Sequence, residues 1–221
     1  MISIAIDGPS GAGKSTLARR LAQQNGWLYV DTGAMYRTIG LFAVRAGVDM
    51  RSEQAVAALL PQLSLDLRYV DGAQHMFLND EDVSGLIRTE QVSMAASLVS
   101  AHPAVRACLL ETQRAFAREN SVVMDGRDIG TVVLPDARVK IFLTASAGER
   151  ARRRFDELTA RGDAVEYEEV LADVKRRDDH DPNRAAAPLR AAADAVTVDT
   201  TGLTLEEAFS LLCETVQKQL A

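Results

Sequence analysis

The residues best suited to chemistry lie near the start of the chain, in Gly8-Pro9-Ser10-Gly11-Ala12-Gly13-Lys14-Ser15-Thr16. Their spacing is G-x-x-x-x-G-K-S. Glycines let successive backbone N–H groups curl around a phosphate chain, and a lysine at the end of such a loop reaches the outer phosphates. The hydroxyl that follows suits Mg²⁺, so Ser15 is the candidate metal ligand and residues 8–16 form a candidate cradle for ATP. The loop points to a nucleoside triphosphate. It does not say where a phosphate goes.

Two further turns carry polar residues after short apolar runs. The first is Asp31-Thr32-Gly33-Ala34-Met35-Tyr36-Arg37 and the second is Asp125-Gly126-Arg127-Asp128-Ile129-Gly130. Parallel sheets bind ligands beyond the carboxyl ends of their strands, which is where both turns should fall. Gly33 is expected to open a helix whose N-terminus faces an anion. Arg37, one turn on, brings a planar fork that donates two parallel hydrogen bonds to phosphate oxygens. Two carboxylates, an arginine and two glycines suit the reading of a polar ligand, the alternative being a turn held by an Asp–Arg pair.

Positive charge gathers later, at Arg150, Arg152, Arg153 and Arg154, and again in the run from Arg176 and Arg177 to Arg184. A solvated helix face accounts for several of these. A phosphoryl group in flight also spreads negative charge over its oxygens and is met by arginines. A helix–turn–helix at about 150–184 therefore reads as a lid that closes over ATP and excludes water as a competing acceptor.

The elements that must hold these groups follow from pattern. Apolar strands are expected at 2–7, 27–30, 121–124, 139–143 and 195–198, with helical segments between them. That rhythm is a doubly wound α/β fold, a three-layer α/β/α P-loop arrangement around a central parallel sheet. Ser146 to Glu149 and Thr204 to Glu207 have capping-box spacing. Residues 63–69 alternate apolar and polar, Asp71-Gly72 makes a turn, 75–78 return as a second strand, and 81–83 add a third. This small β-containing insert, at about 60–98, interrupts a core formed by 1–59 and 99–221, all within one domain.

Composition narrows the function classes. The chain has 221 residues, a net charge of −6, 47% hydrophobic and 25% charged residues. An acidic balance argues against a nucleic-acid-coating surface, and the hairpin's lone Arg68 gives RNA binding no electrostatic support. Two cysteines far apart and three scattered histidines offer neither a transition-metal site nor a Ser/His or Cys/His hydrolytic device. With no signal-like start and no apolar run of membrane-spanning length, the expectation is a cytoplasmic monomer with no membrane or nucleic-acid partner.

Taken together, three segments resemble the bacterial cytidylate kinases within the nucleoside monophosphate kinase family: Ile6 to Thr16, Asp31 to Arg37, and Asp125 to Asp136. The run from Arg176 to Arg184, then Ala187-Pro188-Leu189 and Asp199-Thr200-Thr201, completes the likeness. The resemblance implies ATP and CMP or dCMP as substrates, with Mg²⁺. It implies that Thr32 and Arg37 contact the acceptor nucleotide and that Arg37 and Arg127 lie near its phosphate. It places cytosine reading on Ser97, Arg106 and Asp128, ribose binding on Asp181, and lid or phosphate contacts on Arg177 and Arg184. Lys14, Arg127, Arg177 and Arg184 would then be the catalytic cations. Cytosine has an amine donor and two acceptors, so a carboxylate and an arginine complement it, whereas uracil turns a carbonyl toward the carboxylate. Other acceptors in the same architecture (shikimate, AMP or dTMP) remain open, as does a nucleotide-dependent switch, although no N-K-x-D guanine-reading motif is present.

Overall fold

The computed structural model describes residues 1–70, 72–184 and 186–221. In chain order the elements are β1 (Ser3–Asp7), α1 (Lys14–Asn25), β2 (Leu28–Asp31), α2 (Thr32–Ala46), α3 (Glu53–Leu59), β3 (Leu65–Val70), β4 (Ala73–Leu78), β5 (Glu81–Asp82), α4 (Glu90–Val99) and α5 (Pro103–Glu119). They continue with β6 (Val122–Gly126), β7 (Val139–Thr144), α6 (Ala147–Ala160), α7 (Tyr167–Asn183), β8 (Val196–Asp199) and α8 (Leu205–Leu220). The chain divides into two compact units. One is Met1–Tyr29 with Glu119–Ala221, and the other is Val30–Arg118.

The first unit is built on a sheet of order β2-β6-β1-β7-β8, and the division between the units falls within β2, after Tyr29. β1 pairs in parallel with β6 (Ile4 opposite Val123) and with β7 (Ile6 opposite Ile141), and β7 pairs in parallel with β8. β1 and β6 are buried on both faces, as strands inside an α/β fold must be. Ile4, Ile6, Val123, Ile141 and Leu143 meet Leu17 and Leu21 of α1 and Leu212 and Val216 of α8. Each such buried side chain stabilises the fold by about 1.5–3 kcal/mol. This layer anchors β1, and β1 fixes where the phosphate loop begins. The helical pair α6 and α7 has its own small core of Ala151, Val170 and Val174 against Phe155, Leu158 and Tyr167.

The two capping boxes differ. Thr204 and Glu207 form the full reciprocal box at the start of α8. Ser146 caps α6 by accepting from the Glu149 N–H, but the Glu149 carboxylate pairs with Arg153 and the Ser146 N–H goes to Thr201 Oγ1. A nearby arginine and hydroxyl outcompete the local box there.

In the second unit α2 packs along α4 and against β4. β3 and β4 are antiparallel with Leu67 opposite Met76, and β4 pairs with β5. Leu67, Met76 and Leu78 are buried, while Tyr69 and Val70 are exposed, so one face of this small sheet meets the helices. Asp71 of the expected hairpin turn lies outside the described residues, while Gly72 has φ +77°. The unit is wider than the 60–98 insert expected from the alternation. The strands alone cannot bury an apolar face, and α2 and α4 complete the unit. Among the described residues no single helix is long and apolar enough to cross a membrane.

Candidate active site

Asp7 ends β1 as a buried carboxylate, and its two oxygens accept from the Ile129 and Gly130 N–H groups at 2.7 Å each. Gly8 follows at φ +150°, where a Cβ would overlap the Leu143 carbonyl oxygen. Glycine is required for the loop to leave β1 so close to β7. Gly13 (φ +87°) then turns the chain into α1, whose first residue is Lys14. Lys14 is buried and its Nζ donates to the Pro9 carbonyl at 2.8 Å. Burial and the charge of Arg127 pull its ammonium pKa well below the usual lysine range, against the opposing fields of Asp125, Asp7 and Asp181.

Ser15 Oγ donates to Asp125 Oδ2 at 2.9 Å, and Tyr29 Oη donates to Asp125 Oδ1 at 2.8 Å. A serine hydroxyl and a carboxylate this close are hard oxygen ligands, the set that Mg²⁺ takes beside substrate phosphates. Asp125 therefore joins the candidate site, although the sequence reading gave roles only to its neighbours Arg127 and Asp128. The sequence offered one signal for it, an acidic residue at the carboxyl end of an apolar strand; its place beside Ser15 is tertiary.

Arg127 Nε donates to Asp181 Oδ2 at 2.9 Å. Burial opposes ionisation of Asp181, but the charge and hydrogen bond of Arg127, with Arg184 and His180, outweigh it and hold the carboxyl below its ordinary range. Arg177 pairs with Asp173 at 2.8 Å. Burial lowers the pKa of its guanidinium, Asp173 opposes the shift, and repulsion from Arg127 and Arg154 adds to it. Arg127 thus lies in the field of both Lys14 and Arg177. Within the first unit Lys14 heads α1, Arg127 follows β6, Arg177 lies on α7, and Arg184 ends α7 with its Nε donating to the Ala187 carbonyl at 2.7 Å. Asp128 is buried, faces Asp7, and starts the Ile129–Val133 turn through its carbonyl, which accepts from the Val132 and Val133 N–H groups.

The four arginines of α6 have separate partners. Arg150 is buried and bonds Asp178, Ser10 and Ala145. Arg152 lies 4.6 Å from the Tyr167 ring centroid, Arg153 donates to Thr200, and Arg154 pairs with Glu157.

The second unit holds Thr32, Arg37, Ser97 and Arg106. The helix expected to open at Gly33 begins at Thr32, and its N-terminus is already capped. Asp31 Oδ1 accepts from the Ala34 N–H at 2.8 Å, and Oδ2 pairs with Arg37 Nη2 at 2.9 Å. Arg37 Nε is buried and has no hydrogen-bond partner among the described residues, an orphaned donor that an anion would satisfy. Ser97 is half-buried on α4, with its carbonyl bonded to Ser100 Oγ. Arg106 donates to the Ser100 carbonyl at 3.2 Å and lies 5.5 Å from the Tyr36 ring centroid.

A parallel sheet whose central strand runs into a glycine loop, with a buried lysine at the head of the next helix and a Ser–Asp pair beside it, defines a P-loop α/β protein. The family model described as cytidylate kinase matches residues 4–218, and the chain belongs to that family. Its relatives match it over nearly the whole length. It is 49% identical to the cytidylate kinase of Geobacillus kaustophilus (strain HTA426) over 99% of this chain and 98% of that one. It is 50% identical to the cytidylate kinase of Carboxydothermus hydrogenoformans over 98% of this chain and 97% of that one. Among solved structures, the crystal structure of an uncharacterized protein from Eubacterium ventriosum ATCC 27560 has a TM-score of 0.52 at 12% identity. It covers 98% of this chain and 99% of that one, a likeness of fold alone.

Proposed function

We propose that the chain transfers the γ-phosphoryl group of ATP to CMP or dCMP, giving ADP and CDP or dCDP. The observation that carries this reading is the cluster at the loop: buried Lys14, the Ser15–Asp125 pair, and Arg127 beside both Lys14 and Arg177. Family membership supplies the acceptor. Loop N–H groups from Gly8 to Thr16 would hold the donor phosphates, and Lys14 would reach the β/γ oxygens. Ser15 and Asp125 would hold Mg²⁺, which supplies charge neutralisation on the triphosphate.

The acceptor is itself a phosphate anion, so the reaction needs no strong general base. The work of the chain is positioning and electrostatic stabilisation. Arg127, Arg177 and Arg184 would meet negative charge as it spreads over the transferred oxygens. Arg37 would take the acceptor phosphate, consistent with its orphaned Nε. Thr32, Ser97, Arg106, Asp128 and Asp181 would hold its sugar and base, and the carboxylate of Asp128 would accept from the cytosine amine. Facing a uracil carbonyl instead leaves buried acceptors unpaired at about 1–3 kcal/mol each.

We place the protein in the cytoplasm as a monomer of one domain with a lid at about 150–184. Both cysteines are free thiols, which fits a reducing compartment, and size-exclusion chromatography with light scattering tests the monomer. The reaction is tested by ADP release with CMP, dCMP, UMP, AMP, dTMP and shikimate, using the Lys14→Ala protein for the background rate. CMP and dCMP should lead the panel. Faster turnover of AMP or shikimate than of CMP refutes the acceptor assignment.

A further inference from the structure

Arg150 lies on the first turns of α6 and is 5% exposed. Each of its guanidinium nitrogens has a partner. Nε donates to the Ala145 carbonyl at 2.8 Å, and Nη1 donates to the Ser10 carbonyl of the phosphate loop at 3.1 Å. Nη1 and Nη2 also form a two-pronged pair with the carboxylate of Asp178 on α7, at 2.8 and 2.6 Å. The loop lies directly against this residue, since a Cβ on Gly11 would stand 3.0 Å from the Arg150 Cβ and from its carbonyl oxygen. One side chain therefore joins the phosphate loop, the end of β7 and α7.

The place where it grips α7 is the weak point of that helix. Pro182 sits inside the last turn and has no N–H to give the Asp178 carbonyl four residues back. Asn183 Nδ2 donates to the next carbonyl, that of Asp179, at 2.7 Å and does not replace the missing bond. Arg177 immediately precedes the weakened rung, and Asp181 lies within it, next to the proline. This stretch is also tied by the Leu189 N–H, which donates to the Asp181 carbonyl at 2.9 Å, and by the Arg127–Asp181 pair. Both members of that pair are assigned to substrate, so it must be shared when nucleotides bind. Arg150 and Asp178 carry no such assignment.

We infer that Arg150 and Asp178 are positioning residues. Their planar pair sets the rotation and height of α7 against the phosphate loop, so that Arg177 meets the phosphoryl group in transfer. A fork-to-fork pair is suited to this because two parallel hydrogen bonds define an orientation as well as a distance. The inference rests on the reading of Arg177 as a phosphate-binding arginine.

The test is a double-mutant cycle in the full-length enzyme with ATP and CMP, comparing Asp178→Asn, Arg177→Ala and the double variant. Asn keeps the shape of Asp178 while losing the charge and one acceptor. Asp178→Asn should lower kcat by about tenfold or more, leave both KM values within about twofold, and add less than about twofold in the Arg177→Ala background. Arg150→Lys, which keeps the charge but loses the fork, should reproduce that kcat loss and serves if Asp178→Asn does not fold. A kcat for Asp178→Asn equal to the parent's, or a loss repeated in full in the Arg177→Ala background, overturns the positioning role alone. A rise in KM for ATP with unchanged kcat does the same. An unimpaired Arg177→Ala enzyme overturns the reading of Arg177, and the inference with it.

Discussion

Replacing Asp7 by Asn should change how stability depends on pH. Asp7 is buried at the end of β1, and its carboxyl is pushed up from the ordinary 3.8 to about 6. Burial is the main cause, opposed by the hydrogen bonds from Gly130 and Ile129, assisted by the charge of Asp128 and opposed by that of Lys14. The folded-state value lies above the unfolded one, so the stability gained on protonation is fully present below 3.8 and is lost as pH rises through 6. Between pH 7 and pH 5 the parent chain should therefore gain about 1.3 kcal/mol from this group, a gain that Asp7→Asn cannot make. Urea unfolding of both proteins at several pH values measures the difference, because acids elsewhere titrate alike in each and cancel. The groups that face Asp7 are exceptions: the field on Asp128 changes with that carboxylate, and the proton affinity of Lys14 falls when it is removed. Repeating the comparison with Lys14→Met in both proteins removes the lysine's contribution. It also takes away the cation opposite Asp7, so the divergence should widen. Parallel stability curves from pH 5 to pH 7 in both backgrounds would refute the argument.

The other predictions concern single contacts. Gly8→Ala places a methyl group on the Leu143 carbonyl at a positive φ; it should cost more than about 2 kcal/mol by denaturant unfolding and remove ATP-dependent turnover. Gly26→Ala, with open space around its Cβ position, should cost only about 1 kcal/mol and leave activity unchanged. Tyr29→Phe takes the donor from Asp125 Oδ1; it should cost about 1–3 kcal/mol of stability and raise the Mg²⁺ concentration needed for half-maximal rate. Asp128→Ala should lower kcat/KM for CMP by more than about tenfold while ADP affinity by calorimetry stays within about twofold. Equal losses on both nucleotides would remove Asp128 from the base site.

Much of the fold is legible in local pattern. The five apolar strands expected from sequence are observed within one or two residues of their expected limits, and the hairpin from Leu65 to Leu78 follows the alternation that announced it. Local rules fall short where a long-range partner competes. The Ser146 box yields its N–H to Thr201, 55 residues away, while Arg153 takes the Glu149 carboxylate from the next turn of the helix. The α2 N-terminus, expected to be open for an anion, carries the Asp31 carboxylate. Arg150, one of four arginines in a run that reads as a charged face, is buried because Asp178, the distant Ser10 carbonyl and the nearby Ala145 carbonyl satisfy its fork. Charge type is visible in a sequence, but which charges have partners is not.

The sequence by itself determined the phosphate loop, the parallel α/β frame and the family, because these depend on spacings of a few residues: a glycine where φ must be positive, a lysine one position later, an apolar run of strand length. Tertiary structure alone decided that Asp125 stands beside Ser15 and that Asp7 holds the turn bearing Asp128. It also set α7 against the loop through Arg150. These pairs are separated by 28 to 140 residues along the chain. They form only when β1, β6 and β7 align in register and the low-dielectric interior makes each unpaired polar group costly.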